Sequence, residues 1–121
     1  MYAFFLFSLI VPDAPPFFTN FTFPNVTLER NSGSSIILRC PVRGHPVPEI
    51  SWMKDGVQVE DPMSRDPETE IKIGKFSITL QNLQPSDTGN YTCIATNDFG
   101  SVNGTFHLHV VKKDKLAAMS K

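Results

Sequence analysis

Apolar residues alternate with polar ones at a period of two along this 121-residue chain, in short runs bounded by turn-forming residues. In SSIILRC, Ile36, Leu38 and Cys40 point one way and Ser35, Ile37 and Arg39 the other. In EISWM, Ile50 and Trp52 share a face. Phe76, Ile78 and Leu80 alternate in KFSITLQNL, Tyr91, Cys93 and Ala95 in NYTCIATN, and Phe106, Leu108 and Val110 in GTFHLHVV. Period two with β-branched and aromatic residues predicts half-buried antiparallel strands. The segments RGHPVP (43–48), KDG (54–56), QPSDTG (84–89) and NDFGS (97–101) read as the turns between them. Short strands at this spacing predict an all-β sandwich of two antiparallel sheets.

The length suits one domain, and a hydrophobic fraction of 40% suits a folded one. A net charge of −1 supplies no field that would draw the chain to nucleic acid or to an anionic membrane. Residues 15–111 are expected to form the domain. Residues 1–14 are an apolar segment whose run 2–11 is shorter than the roughly 20 residues a bilayer span needs. They read as the hydrophobic region of a secretory signal peptide or as an arbitrary start of the gene model. Residues 112–121 read as a polar linker or tail. Its lysines Lys112, Lys113 and Lys115 have no aromatic platform beside them, so no nucleic-acid partner is expected. The charged stretch 59–70, with its two prolines, reads as a solvated connection or edge.

Cys40 and Cys93 are too far apart for a local metal knuckle, and no CxxC or HxxxH pattern accompanies them. Each sits on the inward face of its own strand, and Trp52 follows Cys40 by twelve positions. That is the arrangement in which a disulfide ties two packed sheets beneath an indole. The alternative is two reduced core cysteines. Four N-x-Thr sequons, at Asn20, Asn25, Asn90 and Asn103, favour the oxidising, extracellular setting. Asn90 faces outward if Tyr91 faces inward.

Catalytic chemistry has little to stand on. His107 and His109 alternate on the outer side of the final strand, and two ligands alone make a weak metal site. No Gly-rich phosphate loop, GxSxG elbow or HExxH helix is present, and the carboxylates of 59–70 lie on a polar stretch without apolar walls. The chain is expected to be no enzyme and to need no cofactor.

The segment DTGNYTC (87–93) carries the D-x-G-x-Y-x-C pattern of immunoglobulin-like domains. With Cys40, Trp52, Leu80, Asp87, Gly89, Tyr91 and Cys93, residues 15–111 resemble an immunoglobulin domain of the intermediate set (I-set). The resemblance implies an immunoglobulin-like β-sandwich with one inter-sheet disulfide and a tyrosine corner at Tyr91. It also implies a turn that needs Gly89, and a buried Asp87 paired with an arginine, for which Arg65 is the candidate.

RCPVRGHPVPEISWMKDG and PSDTGNYTCIATNDFGSVNGTFHLHVV further resemble the second immunoglobulin domain of fibroblast growth factor receptors and their kinase-lacking receptor-like relatives. This implies a cell-surface ectodomain or secreted module that binds a fibroblast growth factor, with heparan sulfate as co-ligand. The family's ligand meets the end of the last strand, where Val110 and Val111 match the family's Val-Val pair and Lys112 and Lys113 follow. The family has an acidic residue and an arginine after that pair, so its bidentate arginine contact has no match here. The lysine-rich segment that binds heparin in the family is also missing. TFPNVTLERNSGSSIILRC offers only Arg30 and Arg39, against Glu29, and predicts weak binding of sulfated sugar.

Two other functions fit the same fold. An adhesion or guidance domain would bind another immunoglobulin domain through the face carrying Met53, Ile94 and His107. A structural domain of a cytosolic filament would keep its cysteines reduced.

Overall fold

The computed structural model describes residues 11–19, 25–59 and 70–112. They form β1 (Ala14–Phe18), β2 (Asn25–Asn31), β3 (Ile36–Arg39), β4 (Val42–His45), β5 (Glu49–Lys54), β6 (Val57–Gln58), β7 (Glu70–Ile73), β8 (Ser77–Gln81), β9 (Gly89–Asn97) and β10 (Gly100–Val111), with a 3-10 turn at Pro85–Asp87. The alternating runs centre on strands β3, β5, β8, β9 and β10, with Cys40 just after β3 and Phe76 just before β8. RGHPVP departs from its reading as a turn. Arg43, Gly44 and His45 extend as part of β4 against β1, and only the residues after them turn.

One layer is a five-stranded sheet in the order β2-β10-β9-β5-β6. The other is built from β3-β8-β7 and the pair β1-β4, where β4 follows β3 after Cys40 and Pro41. Pairing is antiparallel except at one edge, where β2 runs parallel to β10. A parallel pair needs a long connection between its strands, and these two stand at opposite ends of the chain. The N-terminal segment thus serves both layers, β1 in one and β2 in the other.

The core lies between the layers. Leu38, Ile78 and Leu80 enter from one side and Trp52, Tyr91, Cys93, Ala95, Phe106, Leu108 and Val110 from the other. Cys40 and Cys93 are joined across the layers, their Cα atoms 6.2 Å apart. Trp52 is register partner to Cys93 and stacks on Phe106 at 6.1 Å between ring centroids. Its buried indole N–H finds no acceptor among the described residues. Such a group costs about 1–3 kcal/mol, which the packing of a fully enclosed indole offsets.

The Asp55-Gly56 turn joins β5 to β6, with φ of 49° and 83°. Two positive φ values are what a two-residue hairpin demands, and Gly56 adopts its value without Cβ strain. Asp55 then reaches β9: its Oδ1 accepts the Asn90 N–H at 2.9 Å, and its own N–H bonds the Asn90 carbonyl at 2.9 Å. A Cβ on residue 89 would stand 2.5 Å from Asp55 Oδ2. Gly89 therefore makes room for a neighbouring carboxylate, and its φ is not positive.

The 3-10 turn closes on itself through Asp87, whose Oδ2 accepts the Gln84 N–H at 2.8 Å. Tyr91 is fully buried, and its O–H donates to the Asp87 carbonyl at 2.6 Å. Arg65, the expected partner of the buried Asp87 carboxylate, lies outside the described residues. Tyr91→Phe removes the phenolic donor and leaves a buried carbonyl short of a partner. The expected loss is about 1–3 kcal/mol, read as a lower urea midpoint at unchanged m-value. An unchanged midpoint would show that the bond contributes nothing.

Candidate protein-recognition site

The ends of β2 and β10 lie side by side, Val110 opposite Arg30 and Val111 opposite Asn31. The Ser32 N–H donates to the Val111 carbonyl at 2.7 Å, and the Val110 N–H donates to Thr88 Oγ1 at 3.0 Å. The 3-10 turn, β10 and β2 therefore hold one another at this corner. Nothing in the local sequence marks Thr88, because its contact depends on the packing of two segments 22 residues apart.

The valine pair divides here. Val110 is 3% exposed and belongs to the core, so its side chain meets no partner. Val111 is half-buried on the opposite side of the strand, and Lys112 and Arg30 are exposed. The Arg30 guanidinium donates back to the Glu29 carbonyl at 2.8 Å. The accessible groups of this edge are thus Val111 on the outer side of the sheet and the cations Arg30 and Lys112, which register and alternation place on the side of Val110, while Lys113 lies outside the described residues. Arg39 is exposed on β3, in the other layer, so the two arginines of the segment 22–40 do not share a sheet.

The outer face of the five-stranded sheet has a different character. Glu49, Ser51 and Met53 of β5, Asn90, Thr92, Ile94 and Thr96 of β9, and the odd-numbered residues 101–111 of β10 line it. Met53 and Ile94 are half-buried there, on neighbouring strands. His107 stands between two sequon asparagines. Its Nδ1 is 2.6 Å from Asn90 Oδ1, and its Nε2 is 3.1 Å from Asn25 Oδ1. His109 lies 3.5 Å from Glu29, both side chains largely exposed, a pair that solvent screens. No three His, Cys, Asp or Glu side chains among the described residues gather around one point. His107→Ala cuts only exposed contacts and is expected to change folding stability by no more than about 0.5 kcal/mol, measured by urea denaturation.

The family model described as "Immunoglobulin I-set domain" matches residues 19–110. Fibroblast growth factor receptor-like 1 of Homo sapiens is 36% identical over 88 residues, 73% of this chain and 17% of that protein. The Gallus gallus protein of the same name is also 36% identical over 88 residues, with the same coverage of 73% and 17%. The chain thus spans about a sixth of the length of these relatives. Among solved structures, the Sidekick-1 immunoglobulin domains 1–5 superpose with a TM-score of 0.70 at 30% identity, covering 85% of this chain and 21% of that one. The titin M3 domain superposes with a TM-score of 0.60 at 32% identity, covering 80% of this chain and 97% of that one.

Proposed function

The chain belongs to the immunoglobulin I-set domains, and on that premise we propose that it is an extracellular protein-recognition module that binds a fibroblast growth factor. The observation that carries this reading is its 36% identity to Fibroblast growth factor receptor-like 1 across 88 residues, 73% of the chain. An inter-sheet disulfide supports an oxidising compartment. The end of β10 supplies the binding edge: Val111 as the apolar contact, with the exposed cations Arg30 and Lys112 beside it. Nothing in this mode requires catalysis or a cofactor. Heparan sulfate assists weakly, because Arg30 and Arg39 stand on separate layers and clustered cations are what hold a sulfated chain.

Surface plasmon resonance of the secreted chain against a panel of fibroblast growth factors, with and without heparin, tests the reading. Saturable binding with a small heparin effect is expected. A folded, disulfide-bonded chain that binds none of the panel, but associates with itself or with another immunoglobulin domain, would replace it with the adhesion reading. Met53 and Ile94, half-buried on the outer face, are the observation that favours that second reading.

A further inference from the structure

We propose that N-linked glycans on Asn25, Asn90 and Asn103 cover the centre of the outer face of the five-stranded sheet, around Met53 and Ile94, and leave the end of β10 as the open protein-binding edge. The inference rests on the extracellular reading above. Sequence alone scatters these asparagines along the chain, but strand register gathers them on one face. Asn25 is opposite Thr105, Thr105 is opposite Thr92, and Asn103 is opposite Ile94. All three asparagines are exposed. The hydroxyl residues of two of the sequons, Thr92 and Thr105, bond each other at 2.9 Å in the middle of the group.

Asn90 and Asn25 flank the His107 ring on the outer side of the sheet, and N-glycosylation uses the side-chain amide nitrogen Nδ2 of each. In the transfer, Nδ2 attacks the anomeric carbon of an oligosaccharide held on a lipid diphosphate. The C1–Nδ2 bond forms, the bond from C1 to the diphosphate oxygen breaks, the lipid diphosphate leaves, and the amide proton passes to a base of the transferase. Three glycans rooted within a few strand spacings of Met53 and Ile94 lie over that apolar pair. Four residues of strand, about 13 Å, separate His107 from Val111, so the β10 end stands clear of the sugar roots.

The test uses the full chain secreted from mammalian cells behind a cleavable leader. Peptide-N-glycosidase treatment in heavy-oxygen water marks each formerly glycosylated asparagine, and hydroxyl-radical labelling reads exposure before and after treatment. Expected are marks at Asn25, Asn90 and Asn103 and a several-fold rise in labelling of Met53 and Ile94 on sugar removal. Ile37, exposed on the other layer, should label equally in both states. A secreted, Cys40–Cys93-bonded chain marked at Asn20 but bare at the other three would overturn the proposal and leave the extracellular reading standing. Equal labelling of Met53 and Ile94 with and without sugar would overturn the covering. A chain retained in the cell with reduced cysteines would overturn the extracellular reading and this proposal together.

Discussion

Cys93→Ser is expected to leave a chain that is largely unfolded at 37 °C. The native bridge closes a loop with a sequence separation of 53, which by chain entropy stabilises the fold by about 4 kcal/mol. Serine then adds a second cost. Position 93 is fully buried, and its new hydroxyl enters an apolar site at about 1–3 kcal/mol unless it finds a partner. Together these approach the whole stability of a small domain, about 5–15 kcal/mol. Differential scanning fluorimetry should show Tm falling by about 10 °C or more, or no cooperative transition. A fall of only a degree or two would mean that the two layers hold without the covalent tie.

The second large effect separates two neighbouring valines. Val110→Asp places a carboxylate among Leu108, Phe106 and the rest of the core, at a site 3% exposed. Burying an unpaired charge there is expected to cost about 3 kcal/mol or more. Val111→Asp, one residue on, faces the other side of the strand and is half-buried, with an expected cost within about 1 kcal/mol. Urea titration of both variants checks the pair. A Val110→Asp chain that folds as well as Val111→Asp would contradict the placement of Val110 in the core. Loss of binding in Val110→Asp carries no information about the partner, since unfolding alone produces it.

This division was present in the sequence. The alternation of Phe106, Leu108 and Val110 already turns Val110 inward, whereas the family resemblance treats Val110 and Val111 as one contact. The local period is the better guide at this position, because burial follows the pleat. Other elements had no comparable local signal. Residues Ala14–Phe18 include Pro15 and Pro16, which mark an interior strand as unfavourable but are tolerated on an edge strand. Strand β2 shows Val26 and Leu28 at period two, yet every other residue in it is polar and most are exposed. Strand β7 begins at Glu70, inside the stretch whose charge reads as a connection. Such edge strands are fixed by their neighbours more than by their own composition.

Tertiary pairing also decided what a given residue is for. Gly89 sits in a recognisable motif, but its small size serves the Asp55 carboxylate, which comes from a turn 34 positions earlier. Gathering Asn25 beside Thr105 and His107 requires the parallel register of β2 on β10, which no window of sequence contains. The scaffold residues Cys40, Trp52, Tyr91 and Cys93 were legible because strand period and motif spacing coincide on them.

The central claim is that a growth-factor partner meets the end of β10, at Val111 and Lys112, and not the centre of the outer sheet face around Met53 and Ile94. Plasmon resonance on Lys112→Glu, Val111→Asp and Met53→Asp, each first shown to melt like the parent chain, tests it most directly. Binding weakened at least tenfold by the first two and left intact by the third is the predicted result. Binding that survives Val111→Asp and Lys112→Glu but is abolished by Met53→Asp would contradict it and move the site to the centre of the outer face.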